Sequence, residues 1–187
     1  MYNTRYQYLV IIIFCFCLFF INLGGWDLWG PDEPRYAEVA REMLISGNFI
    51  LPHLNGAVYF DKPPLFFSLI ALSAKLWGEM NSFTARFPSA FFASLTVLLT
   101  FILGKKLLSQ RAGFFGALIL ATNVEFWWLA HRANIDSTLT FFTTLTITSF
   151  YFGFQNPKHR LLFYFIGFFS MALGFLTKLQ VACIVPV

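Results

Sequence analysis

Trp29-Gly30-Pro31-Asp32-Glu33-Pro34-Arg35-Tyr36-Ala37-Glu38-Val39-Ala40-Arg41-Glu42-Met43-Leu44 is the first polar stretch after a long apolar run. Two adjacent carboxylates, Asp32 and Glu33, stand directly before Pro34, and proline suits the first turn of a helix. Tyr36, Val39, Ala40, Met43 and Leu44 then recur at helical spacing and make one apolar face. Arg35, Glu38, Arg41 and Glu42 occupy the other face, and Gly47 stops the helix. An amphipathic helix beside a membrane span lies in the interface plane. Its N-terminus presents Asp32 and Glu33 at the membrane surface. Two readings of that pair stay open: a helix cap, or carboxylates that do chemistry.

Composition decides what surrounds this helix. Of the 187 residues, 58% are hydrophobic and 12% charged, against roughly 25% charged in soluble domains. The chain therefore reads as an integral membrane protein. A net charge of +4 does not imply nucleic acid as a partner. Cys15, Cys17 and Cys183 sit in apolar runs and read as small buried hydrophobes.

Working outward, the expected architecture is all-α and polytopic, with about five transmembrane helices. A first span covers 6–25, with no cleavage signal of a secretory leader. A loop over 26–86 carries two amphipathic interfacial helices: the one quoted, and Leu65 to Trp77 after Pro63-Pro64. Between them, Phe49 to Lys62 reads as an extended piece. Further spans cover 87–104, 112–130, 137–154 and 161–177, and the chain ends inside a sixth apolar segment. Alternating these spans places Arg5, Lys105, Lys106, Arg111, Lys158 and Arg160 on one side, with no carboxylate. All nine carboxylates and all five tryptophans fall on the other side. The positive-inside rule makes the first side cytoplasmic, together with the N-terminus.

Polar chemistry is thus gathered at the outer face in several groups. Asp32-Glu33 is the first. Tyr59-Phe60-Asp61-Lys62-Pro63-Pro64-Leu65 is the second; a residue before proline is pushed to extended geometry, so the prolines hold Asp61 and Lys62 on a stiff strut. Its plain alternative is an interfacial turn with an anchoring lysine. The third is Arg132-Ala133-Asn134-Ile135-Asp136, whose spacing puts Arg132 and Asp136 on one helix face if the helix continues. Lys178 returns to the same face, either to snorkel or to hold a lipid phosphate. Carboxylates with cations at a lipid interface suit transfer of a group from a lipid phosphate. A carboxylate pair could instead hold a divalent metal.

These residues also carry a resemblance. The run from Asp32 to Met43, then Ser46-Gly47, Pro52-His53-Leu54-Asn55-Gly56, Tyr59 to Leu65 and Arg86-Phe87-Pro88-Ser89-Ala90 resembles the N-terminal part of the lipid A aminoarabinose transferases. Protein mannosyltransferases are related, within the C superfamily of polytopic glycosyltransferases. The resemblance runs from about Asp32 to Lys178 and implies a multi-pass enzyme of the bacterial inner membrane. Such an enzyme passes a sugar, with inversion, from an undecaprenyl-phosphate donor to lipid A or a related periplasmic acceptor. It implies catalytic roles for Asp32 and Glu33. Arg35, Lys62 and Lys178 match cations around the donor phosphate. Asp61 and Asp136 match acidic positions associated with a divalent metal ion, and Arg132 supports them. Two positions depart from the family pattern: Asp61 stands where Glu is usual, and Leu179-Gln180 where Gly-Pro is usual. The family's chains are also much longer, which leaves a second reading, a truncated non-catalytic membrane protein that at most binds polyprenyl phosphate.

Overall fold

The computed structural model describes residues 4–186. Its helices are α1 (Thr4–Phe19), α2 (Asp32–Ser46), α3 (Leu65–Trp77), α4 (Ser82–Leu107), α5 (Gln110–Thr122), α6 (Val124–Ala130), α7 (Ile135–Gln155), α8 (Arg160–Lys178) and α9 (Val181–Ile184). The all-α expectation holds apart from one small hairpin, β1 (His53–Leu54) with β2 (Ala57–Val58), paired antiparallel. Asn55 and Gly56 both take positive φ, at 54° and 78°. That is the two-residue hairpin turn for which Asn-Gly is the strongest short signal. The extended piece expected over Phe49 to Lys62 therefore folds back on itself.

The structure is that of a multi-pass membrane protein. Ser82–Leu107 and Pro157–Lys178 are each long and apolar enough to cross a membrane, and α5 with α6, bent by 66°, makes a third such element. The other two expected spans correspond to α1 and α7. Helix α1 is short, 16 residues. Helix α7 has 21 residues but is rich in threonine. Two of its hydroxyls turn back on the helix, Thr140 to the Asp136 carbonyl at 2.7 Å and Thr146 to the Phe142 carbonyl at 2.8 Å, which lets those polar side chains sit among apolar neighbours; among the described residues the buried hydroxyls of Thr138 and Thr148 have no hydrogen-bond partner. It packs between α4 and α8. The segment after Lys178 forms α9, which folds back against α8 and α7; Val187 lies outside the described residues, as does the chain's N-terminal end, expected to be cytoplasmic.

One boundary differs in a way that matters. The span expected at 87–104 begins earlier, at Ser82, because Asn81 and Thr84 form a reciprocal cap: the Asn81 side chain accepts from the Thr84 N–H, and the Thr84 hydroxyl from the Asn81 N–H. Arg86 therefore belongs to a buried helix turn rather than to the loop. At the far end, α4 and α5 cross closely: a Cβ added at Gly104 would come within 2.8 Å of the Gly113 Cα. Glycine on both helices is what permits the approach.

Two apolar clusters result. Ile11, Cys15, Phe19, Ala93, Val97, Phe101 and Ala117 knit α1, α4 and α5 within the spans. Tyr36, Val39, Ala40 and Met43 of α2 meet Phe66, Phe67, Ile70 and Ala71 of α3 in the second cluster, which also reaches Ala85, Ala133 and Ile135. The apolar face expected on α2 is thus buried against α3 rather than laid into lipid. Both short helices end on a left-handed glycine, Gly47 (φ 68°) and Gly78 (φ 87°). This second cluster is the platform that positions the polar site.

Candidate active site

Helix α2 starts at Asp32, and no side chain caps it. Glu33 turns inward instead. It is 1% exposed, and fully buried Arg86 is its partner. Arg86 donates from Nε to Glu33 Oε1 at 2.9 Å and from Nη2 to Oε2 at 3.0 Å. Its remaining donors go to three carbonyls at the end of the first span and the loop after it: Leu23 at 3.1 Å, Trp26 at 2.9 Å and Asp27 at 2.9 Å. All five guanidinium N–H groups are used. Glu33 also accepts the backbone N–H of Trp29 at 2.9 Å and of Ala133 at 2.7 Å. Burial pushes the Glu33 carboxyl up, but the Arg86 bonds and the two backbone donors outweigh it and hold it below the usual carboxylate range. One ion pair therefore ties the α1–α2 loop, α2, α4 and the α6–α7 joint together. The resemblance gave Glu33 a catalytic role. Its oxygens accept four hydrogen bonds, which leaves them little capacity to take a proton or hold a ligand.

Asp32, the neighbour, points outward. Its side chain is 58% exposed and lies 3.5 Å from Arg35 Nη1. Arg35 in turn meets the Tyr59 hydroxyl. Tyr59 donates to Asp61 Oδ2 at 3.0 Å, and Lys62 Nζ reaches Asp61 Oδ1 at 3.4 Å. The Tyr59 bond, with Lys62 and Arg35 nearby, holds the Asp61 carboxyl below its usual value. Asp32, Arg35, Tyr59, Asp61 and Lys62 thus form one line from the α2 N-terminus to the strut before Pro63, with the two aspartates exposed and the other three half-buried. Sequence reasoning placed all five at the outer face but gave Tyr59 no role; the structure makes it the link between Arg35 and Asp61.

On the other side of Asp32 opens a cavity of about 420 Å³, walled by Trp29, Asp32, Glu125, Trp128 and Arg132 among others. Arg132 lies over both rings, 5.1 Å from the Trp29 centroid and 5.3 Å from that of Trp128. It donates to the Trp29 carbonyl at 2.6 Å and stands 3.9 Å from Glu33 Oε2. A second cavity of about 500 Å³ lies between the N-terminal ends of α1 and α5, lined by Tyr6, Gln7, Val10, Arg111, Phe114 and Phe115. None of the carboxylates above borders it.

The pairing expected between Arg132 and Asp136 is absent. Arg132 precedes α7, so the two never share a helix face. Asn134 caps α7 with its side chain, accepting from the Asp136 N–H at 2.5 Å. Asp136 pairs instead with Lys178 Nζ at 2.6 Å. The expected metal carboxylates are consequently each engaged by a lysine, Asp61 by Lys62 and Asp136 by Lys178. Among the described residues, no three His, Cys, Asp or Glu side chains lie close enough to share an ion.

Arg86, Glu125, Trp29 and Trp128 were not assigned roles from the sequence. Arg86 had a usable signal: a lone arginine at the start of an apolar run needs a buried partner. Glu125 interrupts an apolar run and had the same signal, but the 66° break that turns it toward Asp32 is tertiary.

The family model described as dolichyl-phosphate-mannose-protein mannosyltransferase matches residues 5–187. An undecaprenyl phosphate-alpha-4-amino-4-deoxy-L-arabinose arabinosyl transferase of Pseudomonas savastanoi pv. phaseolicola is 36% identical over 190 residues, 98% of this chain and 35% of the relative. One of the same description from Edwardsiella ictaluri is 36% identical over 92% of this chain and 32% of its own length. In structure, ArnT from Cupriavidus metallidurans bound to undecaprenyl phosphate superposes with a TM-score of 0.87 at 26% identity, covering 94% of this chain and 33% of that one. The chain spans about a third of the length of the relatives it matches. With the family model covering nearly the whole sequence, the chain belongs to the dolichyl-phosphate-mannose-protein mannosyltransferase family.

Proposed function

We propose that this chain forms the donor-binding and catalytic part of an inverting glycosyltransferase. The donor is a sugar on undecaprenyl phosphate, and the acceptor is lipid A or a related periplasmic molecule. The observation that carries this reading is the line Asp32, Arg35, Tyr59, Asp61 and Lys62, a carboxylate set 3.5 Å from one cation and linked through Tyr59 to a second. The relatives named for an undecaprenyl-phosphate donor support the same chemistry. The enzyme sits in the bacterial inner membrane, with the carboxylate-free turns in the cytoplasm and this site at the periplasmic face. The charge asymmetry of the chain supports that orientation.

In this reading Arg35 and Lys62 hold the donor phosphate. Lys178 adds to them while spending one of its three N–H donors on Asp136. An acceptor oxygen attacks the anomeric carbon from the face opposite the phosphate. The bond from that carbon to the phosphate oxygen breaks, and its electron pair departs with undecaprenyl phosphate. Arg35 and Lys62 stabilise the charge that develops there. A phosphate acceptor, with its second pKa of about 6, is already mostly ionised near neutrality, and Asp32 then orients it. A hydroxyl acceptor needs its proton removed, and Asp32 is the base. Glu33 holds the α2 N-terminus and takes no proton, and Arg132 shapes the cavity wall.

Titration of undecaprenyl phosphate into wild type and Lys62→Ala in detergent tests the reading. Loss of a charged contact weakens binding by about 1.5–3 kcal/mol. Equal affinities would leave Lys62 an interfacial anchor and remove the reading's main support.

A further inference from the structure

We propose that the cavity between the N-terminal ends of α1 and α5 binds an anionic phospholipid, held by Arg111, Gln7 and Tyr6. This site is separate from the one around Asp32 and lies at the other end of the spans. Helix α1 starts beside the cavity and leads to Leu23, whose carbonyl accepts from Arg86. The lipid belongs to the leaflet away from Asp32, the cytoplasmic one in the orientation proposed above.

Gln7 is the polar group that needs an explanation. It is 6% exposed and lines the cavity. Its Oε1 accepts from Gln110 Nε2 at 2.7 Å, a bond that ties α1 to α5. Among the described residues nothing accepts from its own amide N–H groups, so they are left for whatever fills the cavity. A buried donor without a partner is costly, and at about 500 Å³ the space falls within the range of small-molecule sites.

Charge and shape then decide what fits. Arg111 is the charged residue on the cavity wall, and no carboxylate lines it. Among the described residues the Arg111 side chain has no hydrogen-bond or ion-pair partner. Tyr6 adds a phenol O–H. Three donors therefore converge on one space, and phosphate oxygens can accept from all of them. The rest of the wall is apolar: Val10, Phe114 and Phe115. One turn further on, Ile13 and Ile119 continue exposed apolar faces along α1 and α5, a track for an acyl chain. A water-soluble anion would use the donors and leave that track empty. A zwitterionic head group would bring an ammonium that finds no carboxylate, so a lipid of net negative charge is favoured. Basic pockets between spans are where anionic head groups bind. The plainer role for Arg111 is to snorkel to the interface. That role leaves Gln7 without a partner and gives no preference that depends on the cavity.

The test is native mass spectrometry of the purified 187-residue chain in detergent, titrated with dioleoyl phosphatidylglycerol or dioleoyl phosphatidylcholine. Wild type is expected to bind the first phosphatidylglycerol about 10- to 100-fold more tightly than phosphatidylcholine, the range for hydrogen bonds to a charged group. Arg111→Gln is expected to bind the two alike. Val10→Trp, which fills the cavity and keeps every charge, is expected to lose the preference as well. Lys158→Gln, a cation on the same side but outside the cavity, and Lys62→Ala, at the other end of the spans, are expected to keep it. Inorganic phosphate is expected not to displace phosphatidylglycerol. Equal binding of the two lipids by wild type overturns the inference, and so does a preference that survives in Arg111→Gln. A loss in Lys158→Gln as large as in Arg111→Gln would show diffuse surface charge instead of a site, and displacement by inorganic phosphate would show a site for a free anion. Matched melting temperatures exclude misfolding, and Arg111→Gln keeps the test decisive because that side chain has no contact to lose.

Discussion

Glu33→Gln is the most informative single change, because it separates a structural carboxylate from a catalytic one. It keeps the shape of the side chain and removes its charge. Arg86 is then a fully buried cation with no counter-ion. The new amide nitrogen also faces donors only: Arg86 on one side and, on the other, the Trp29 N–H if it replaces Oε2 or the Ala133 N–H if it replaces Oε1. Breaking a buried pair by removing one partner costs about 3–5 kcal/mol. For a chain of this size each kcal/mol moves the melting temperature by about 2–4 °C, so the expected drop is about 6–20 °C. Thermal melting in detergent, followed by circular dichroism, measures it. Acid supplies the sign. Because the folded carboxyl is held below its ordinary value, its stabilisation is fully present above the unfolded pKa of about 4.3. It is lost as pH falls through the folded value. The gap between wild type and Glu33→Gln is therefore expected to stay constant from pH 5 to 8, a window chosen to lie above about 4.3, and to narrow below it. A Glu33→Gln protein that melts within about 2 °C of wild type yet has lost sugar transfer would refute this account and return Glu33 to the chemistry.

Asp32→Asn is expected to lower sugar transfer by about 10²–10⁴-fold if the acceptor is a hydroxyl. Its melting temperature should stay near wild type, because the side chain is exposed with one partner, Arg35; a large loss of stability would make Asp32 structural. Leu179, after Lys178, has φ 50° and ψ −130°, a conformation that strains any residue with a Cβ by about 1–3 kcal/mol. Leu179→Gly is expected to stabilise the protein by about 1 kcal/mol once glycine's greater entropy loss, about 0.5–1 kcal/mol, is set against that strain. An unchanged or lower melting temperature would show that the strain is relieved another way.

The sequence alone determined the elements whose cause is local. The apolar spacing of Tyr36, Val39, Ala40 and Met43 predicted the buried face of α2, and Gly47 its end. Pro63-Pro64 and the apolar run after them marked α3 at the bounds it has, Leu65–Trp77. The motif from Asp32 to Ala90 was enough to place the chain in its family. Only the tertiary structure decided which charge meets which. Glu33 and Arg86 are 53 residues apart and Asp136 and Lys178 are 42 apart, and no period or spacing encodes such a choice. Adjacent Asp32 and Glu33 look equivalent in the sequence. A helix turns consecutive side chains about 100° apart, so one carboxylate falls toward the core and the other toward the site. Burial then made Glu33 depend on Arg86, while Asp32 was left exposed at the edge of a cavity whose far wall is set by the bend before Glu125.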